Sequence, residues 1–396
     1  MRWAGIDIGK LKHVVALVDD DGRVIRKPLS FPESEAGFAR LAECLGLQDG
    51  VRVGLEATGH YWHNVYLWLV DQGYQVVVFN PVQTCRFAQL ELRRAKTDAI
   101  DALGIARCVR ALRAPAAPEQ DPALRALREL TRFRARMVQD LGDRTRQLHR
   151  QVDLVFPELL TIVRQLGSAR VTALLRHWPT AARLARAQLE AVAQLHYDGR
   201  HRIGDALAAR LVEAAKTSVA QHAGDPYEHI VVSLCEDLEG LTRRVADLDR
   251  RLTAVVTTHE LGELLTSIPG ICAISAGRLL GEIGDTARYA SADALAADLG
   301  VVPGVRHSGR STPTSQPCDP RGKARLRHAL WMPTLTAVQK SPWLNAFYQR
   351  LVSQGKPKKV ALIAAMRKLI HAIYAVARDR RAFVDRTNVP LSSAAA

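Results

Sequence analysis

Hydrophobic residues change their spacing once along the chain. Over the first hundred or so residues they run together or alternate in short stretches. Trp3–Ile8 and His13–Val18 are apolar and rich in β-branched residues, with Gly9 and the run at 19–22 breaking them as turns do. Arg23–Phe31 reads as a third strand, and Ser34–Leu45 has helical spacing through Phe38, Leu41 and Leu45. Val51–Leu55 reads as a short strand running into Glu56, Trp62–Val70 as a helix, and Tyr74–Phe79 as a buried strand closed by Asn80-Pro81. The Pro-rich stretch APAAPEQDP then interrupts the pattern, and from residue 123 to about 156 apolar residues recur mostly at three- and four-residue steps or their multiples (Leu124, Leu127, Leu130, Met137, Leu141, Leu148, Val152). Residues 160–225 read as helical without a usable motif, and Val231–His259 as a second long helix able to pair with the first as an antiparallel coiled coil, or with a partner chain. Ile268–Gly284 has the look of a helix-hairpin-helix: a tight turn at Gly270, a helix from about Ile274, and Cys272 where a second glycine is usual. A polar loop over 300–320 precedes helices over Arg321–Val338 and Pro357–Arg378.

The order of strands and helices in residues 1–112 is that of a mixed sheet with helices on its faces, the RNase H-like arrangement. The expected organisation is α/β plus all-α: 1–112 a catalytic α/β domain, 113–122 a linker, 123–259 a helical, coiled-coil middle, 260–382 a helical C-terminal domain containing the polar loop, and 383–396 a tail.

Charge narrows the partners. Lys and Arg number 55 against 40 Asp and Glu, a formal net charge of +15 that points to a polyanion, usually nucleic acid. The first long helix carries Arg125, Arg128, Arg132, Arg134, Arg136, Arg144, Arg146 and Arg150. That pattern fits either a solvated face or contact with a phosphate backbone. Six scattered cysteines without a CxxC pair argue against a zinc site or a disulfide framework and fit a reducing cytosol. No signal peptide and no run of ~18 apolar residues is apparent, so no membrane partner is expected.

Four carboxylates carry the chemistry. Asp7 lies within the apolar strand GIDIG, where a lone carboxylate is costly unless paired or bound to metal. Glu56 ends another strand, and Asp98 and Asp101, three apart in KTDAIDA, share one side of a helix. Phosphoryl transfer by two metal ions needs carboxylates converging from different elements, and magnesium suits such all-oxygen sets. His13, His60, His63 and His307 have commonplace structural explanations, as do Tyr61 and Trp62.

Long motifs now mark a resemblance. GIDIGKLKHVVALVDDDG, GLEATGHYWHNVYLWL, FNPVQ and RRAKTDAIDALGIAR resemble the RuvC-like DEDD domain of the IS-one-ten family of insertion-sequence transposases. IPGICAISAGRLLGEIGD, ALAADLGVVPGVRHSGRS, RGKARLRHALWMPTLTAV and FYQRLVSQGKPKKVALIAAMRKLI resemble that family's C-terminal transposase domain. Together the matches cover about 1–112 and 260–380. The resemblance implies a recombinase guided by a structured, non-coding bridge RNA that pairs with donor and target double-stranded DNA. It implies that Asp7, Glu56, Asp98 and Asp101 are the acidic set, holding Mg2+ or Mn2+, and that the SG serine, Ser308, is the nucleophile, with Ser311 the alternative.

A serine hydroxyl needs activation, and its attack on a phosphodiester keeps the bond energy for rejoining. Arg306 and Arg310 flank Ser308 and are placed to neutralise phosphate charge. The basic clusters Arg321, Lys323, Arg325, Arg327 and Lys356, Lys358, Lys359 are further candidates for nucleic-acid contact. Handling two duplexes implies a homodimer or homotetramer in a bacterial cytoplasm, at the nucleoid. The competing expectations are a metal-dependent, structure-selective DNA endonuclease using water, for which the α/β domain alone would suffice, and a non-catalytic nucleic-acid-binding protein with a relic acidic site.

Overall fold

The computed structural model describes residues 1–91, 97–117, 121–284, 286–302 and 322–385. The chain forms two compact units, residues 1–119 and 120–396.

The first unit is built on five strands, β1 (Arg2–Ile8), β2 (Lys12–Val18), β3 (Val24–Pro32), β4 (Val51–Glu56) and β5 (Gln75–Phe79), in the order β3-β2-β1-β4-β5. β1 to β3 form an antiparallel meander, while β4 runs parallel to β1 and β5 parallel to β4. Helices α1 (Glu35–Leu45) and α2 (Trp62–Asp71) bury Leu41, Leu45, Val65 and Leu69 with Ala4, Ile6, Ile8, Val53 and Leu55 on one face of the sheet. Ser34 caps α1 by accepting a hydrogen bond from the Gly37 amide.

The other face packs on a helix that crosses the sheet tightly. Asn80-Pro81 closes β5, as expected, and also opens α3 (Pro81–Leu90). Asn80 and Gln83 form a capping box there, and Pro81 occupies the first turn, where its missing N–H costs nothing. Next comes α4 (Asp98–Leu112), capped by the Thr97 hydroxyl, whose Ile105, Ala106, Cys108 and Val109 pack with Trp3, Val18, Val77 and Phe79. A Cβ at Gly5 would lie 2.2 Å from both the Ala102 carbonyl oxygen and the Ala106 nitrogen, and one at Gly54 would lie 2.1 Å from Val109 Cγ2. Only glycine at position 5 lets helix backbone approach strand backbone so closely, and Gly54 leaves room for the Val109 side chain.

Among its described residues the second unit is helical apart from one isolated bridge between His196 and Arg202. Its frame is α5 (Pro122–Val155), followed by α6 (Leu159–Ile162), α7 (Ala169–His177), α8 (Ala181–Leu184), α9 (Leu189–Gln194) and α10 (Asp205–Lys216), and then the second long helix, α11 (Asp225–Thr258). α11 begins six residues before its first periodic leucine-type position, at Gly224-Asp225-Pro226, a start signalled by Pro in the first turn. α5 and α11 pack antiparallel, with Arg134 paired to Asp249 and Arg144 to Asp237. One core gathers Leu148, Val152, Val231, Leu234 and Leu238 with the short helices.

A second core gathers Leu127, Leu252 and Val256 with the C-terminal helices: α12 (Glu260–Thr266), α13 (Ala273–Ile283), α14 (Ala292–Asp298), α15 (Ala324–Ala329), α16 (Trp331–Lys340), α17 (Pro342–Ser353) and α18 (Lys358–Asp379). One expectation changes here. The stretch Arg321–Val338 is two helices that break at Leu330. The turn between α12 and α13 is occupied by packing: Gly270 has φ +90°, and a Cβ there would lie 2.4 Å from the Pro333 carbonyl oxygen of α16. α18 has a mean hydropathy of 1.6 over its most apolar window, enough to cross a membrane by length and composition alone, although Arg367 and Lys368 interrupt its apolar residues. It is also the central helix of this core, burying Leu362, Met366, Leu369, Ile370 and Ile373.

Candidate active site

Asp7 follows Gly5 on the face of β1 that meets α4, since side chains alternate along a strand. Glu56 follows Gly54 on the same face of β4. Ile6 pairs with Leu55 in the parallel ladder, so Asp7 and Glu56 lie at the adjoining next positions, at the carboxyl ends of neighbouring strands. α4 runs opposite to β1: near its C-terminal end Arg110 donates to the Asp20 carbonyl at 2.9 Å, by the start of β1, where Trp3 Nε1 donates to Asp20 Oδ1. Its first turn, bearing Asp98 and Asp101, therefore lies over the Asp7 end of the strand. Ala102, directly after Asp101, is the residue that touches Gly5.

The four carboxylates thus come from three elements to one corner of the sheet. Asp7, Glu56 and Asp101 are half-buried and Asp98 is exposed. Asp98 and Asp101 also sit where the helix dipole favours negative charge, which stabilises α4 whatever else they do. Glu56 is held from both sides: Oε1 accepts from the Thr58 hydroxyl at 2.7 Å and Oε2 from the Thr84 hydroxyl at 2.5 Å. Thr84 lies on α3, the helix the strand-ending reading of Asn80-Pro81 missed; the pattern Asn80-Pro81-Val82-Gln83 is the signal that marks it.

The donor set is all oxygen, suited to a hard divalent cation. Among the described residues no three His, Cys, Asp or Glu side chains converge closely enough to hold a metal ion. In chemistry the donor set suits such an ion, while in this structure the four carboxylates share a corner without converging on one point.

His13 stays apart from this corner. His13 pairs with Ile8 in β2, so it faces α1 and α2 rather than α4. It is fully buried against Phe31, with neither ring nitrogen hydrogen-bonded. Burial lowers its pKa, partly opposed by Glu33. Tyr61 and Trp62 pack at the edge of the same core.

Ser308, Ser311, Arg306, His307, Arg310 and Arg321 lie outside the described residues. The remaining basic candidates divide. Lys323 pairs with Asp298 at 2.8 Å, and Arg327 donates to the Gly300 carbonyl at 3.2 Å. Arg325, Lys356, Lys358 and Lys359 are exposed. On α5, Arg132 forks onto Glu282 at 2.6 and 2.8 Å, and Arg134, Arg144 and Arg146 each hold an acid. Much of that arginine face is therefore engaged within the protein, and Arg136 and Arg150 remain exposed.

Comparison with known proteins bears on the same regions. A family model described as "Transposase", for DEDD enzymes of the IS110 type, matches residues 4–157, and one described as "Transposase IS116/IS110/IS902 family" matches residues 262–349. The chain is 29% identical to an insertion element IS116 uncharacterized protein of Streptomyces clavuligerus, over 96% of each chain. It is 26% identical to a mini-circle putative transposase for IS117 of Streptomyces coelicolor, over 100% of this chain and 98% of that one. It is also 26% identical to a pilin gene-inverting protein of Moraxella bovis, over 97% and 98% respectively.

Proposed function

Because the chain belongs to the IS110/IS116 family of transposases, and so is a DNA-transposing enzyme, we propose that it exchanges DNA strands by transesterification, using Asp7, Glu56, Asp98 and Asp101 together with Ser308. The observation that carries this reading is the gathering of the acidic set, from β1, β4 and the first turn of α4, at the carboxyl edge of one sheet. The strand order β3-β2-β1-β4-β5 supports an RNase H-like ancestry for that unit.

In the proposed reaction the Ser308 oxygen attacks a scissile phosphorus. A P–O bond to serine forms, the bond to one deoxyribose oxygen breaks, and the serine proton is transferred to the leaving oxygen. A divalent cation, magnesium or manganese, bound by the four carboxylates would supply electrostatic stabilisation of the developing charge. Thr58 and Thr84 each donate to one Glu56 oxygen and so hold that carboxylate in one orientation. Because the serine ester conserves the bond energy, a hydroxyl of the exchanged strand can reverse the step and reseal the DNA. A relative named for gene inversion supports this choice, since inversion must rejoin every end it cuts.

The same reading includes a structured bridge RNA that pairs with donor and target DNA, with the protein gripping nucleic-acid backbone through its excess positive charge, and a dimer or tetramer to hold two duplexes. The test is recombination by purified protein supplied with RNA that co-purifies with it, donor and target. Asp98→Asn and Ser308→Ala should each abolish exchange. Efficient exchange by Ser308→Ala would contradict the serine nucleophile, and cleavage without a covalent protein–DNA adduct would favour hydrolysis by water at the acidic site, the endonuclease alternative.

A further inference from the structure

A groove of about 590 Å3 opens between α16, α17 and α18, within the size range of sites that hold small organic groups. Its apolar surface comes from Trp331, Leu335, Tyr348 and Leu362, and its mouth carries Lys358 and Lys359. No acidic residue lines it. Trp331 and Tyr348 are half-buried, so each ring packs on the core along part of its surface and offers the rest to the groove. Gln339 and Gln349 sit at its rim, both exposed.

The lysines stand in an unusual place. They are the first two residues of α18, whose cap, Pro357, offers no side-chain oxygen to the free amides, and the first turn holds no acid. The positive end of the helix dipole therefore adds to two ammonium groups, an arrangement that opposes helix stability. The cleft between α5 and α11, by contrast, is lined by Asp140, Asp143, Glu236 and Asp237 as well as by arginines. Of the two, only the C-terminal groove joins aromatic surface to uncompensated positive charge.

We propose that this groove binds one unpaired nucleotide of the DNA substrate, its base against Trp331 and Tyr348 and its phosphate at Lys358, Lys359 and the first amides of α18. An aromatic wall recognises the face of any base, and lysine with helix N–H groups recognises a phosphate; the two together match a nucleotide displaced from a duplex rather than a paired one. Charge complementarity with the +15 chain argues for a nucleic acid as occupant. The choice of DNA rests on the function proposed above, because strand exchange leaves bases transiently unpaired. The groove would hold such a base away from its old partner.

The test uses the full-length protein and DNA oligonucleotides in which one thymine is replaced by 5-iodouracil, either unpaired in a bulge or fully paired. Irradiation and peptide mapping should place the crosslink on Trp331 or Tyr348 for the bulged oligonucleotide, with little for the duplex. Trp331→Leu should weaken binding of the bulged DNA about 5- to 100-fold, as loss of one stacking contact does, and leave duplex affinity within about twofold. Since Trp331 also touches the core, Lys358→Gln/Lys359→Gln, confined to the surface, should weaken the same complex and lower its salt dependence. Crosslinks elsewhere, equal effects on bulged and duplex DNA, or strong labelling only by an RNA oligonucleotide would overturn the proposal. These results do not depend on catalysis: Asp98→Asn should crosslink like the parent, so failure of the acidic site and failure of the groove are read separately.

Discussion

Replacing Gly5 with alanine probes how the sheet positions the acidic corner. The new Cβ would stand 2.2 Å from the Ala102 oxygen and the Ala106 nitrogen, where real Cβ contacts essentially never fall below 3.0 Å. Both obstacles are backbone, so no side chain can swing aside; α4 must withdraw from β1 by roughly 1 Å, the overlap between those distances. Overpacking of this kind costs ~1–3 kcal/mol. Asp101 immediately precedes Ala102 and Asp98 lies one turn earlier, so the withdrawal carries both away from Asp7 and Glu56. A displacement of about 1 Å at a reacting centre costs on the order of 100-fold in rate. The urea midpoint followed by circular dichroism gives the first quantity, and the rate of strand cleavage under conditions where the variant is fully folded gives the second. A variant as stable as the parent refutes the packing argument. One that is destabilised yet cleaves at the parental rate refutes the link between helix placement and chemistry.

Three further outcomes follow from contacts in the two units. Thr84→Val removes one of the two hydroxyls that hold Glu56; a hydrogen bond to a charged group is worth ~1.5–3 kcal/mol, so cleavage should slow about tenfold or more while the urea midpoint moves little, and an unchanged rate would show that Glu56 needs no such support. Burial lowers the pKa of folded His13, so below the ordinary value of about 6.5 the unfolded chain takes up the proton more readily than the folded one, and stability should fall as the pH drops below that value. His13→Phe should flatten this dependence between about pH 5.5 and 7.5, and a variant keeping the parental slope in urea unfolding would assign it to other groups. Burial alone would raise the pKa of Glu282, but the Arg132 fork, Arg128 and Lys323 hold it below the ordinary carboxylate value, so its contribution is present at neutral pH and lost as the pH falls through that lowered value. Glu282→Gln should destabilise the second unit by about 2 kcal/mol at neutral pH, less than a fully buried pair because Arg132 is partly exposed; chemical denaturation showing no change would mean that the pair contributes little.

The first unit was legible because its strands are short, apolar and bounded by turn residues, and a buried strand tolerates little else. GIDIG and GLEATG announced both the strand and the carboxylate. Missing was what those glycines do: a sequence shows that Gly5 and Gly54 are small, and only the packed structure shows that α4 lies against them. α3 was lost by reading Asn80-Pro81 as a stop when it is equally a cap followed by a first-turn proline; Gln83, three residues on, distinguishes the two. Thr84 was lost with it. The long helices were plain from their spacing, but the fate of their arginines was not, because whether Arg132 meets solvent or Glu282 depends on residues 150 positions apart.

The coupling of the acidic corner to Ser308 is tested most directly by trapping the protein–DNA intermediate. Protein, any RNA that co-purifies with it and donor DNA are mixed with magnesium, quenched in denaturant, digested, and the nucleotide-bearing peptide is sequenced by mass spectrometry. The expected result is a phosphodiester on Ser308, absent with EDTA and absent in Asp98→Asn. Cleaved DNA with no covalent adduct, or an adduct that forms undiminished without Asp98, would contradict it.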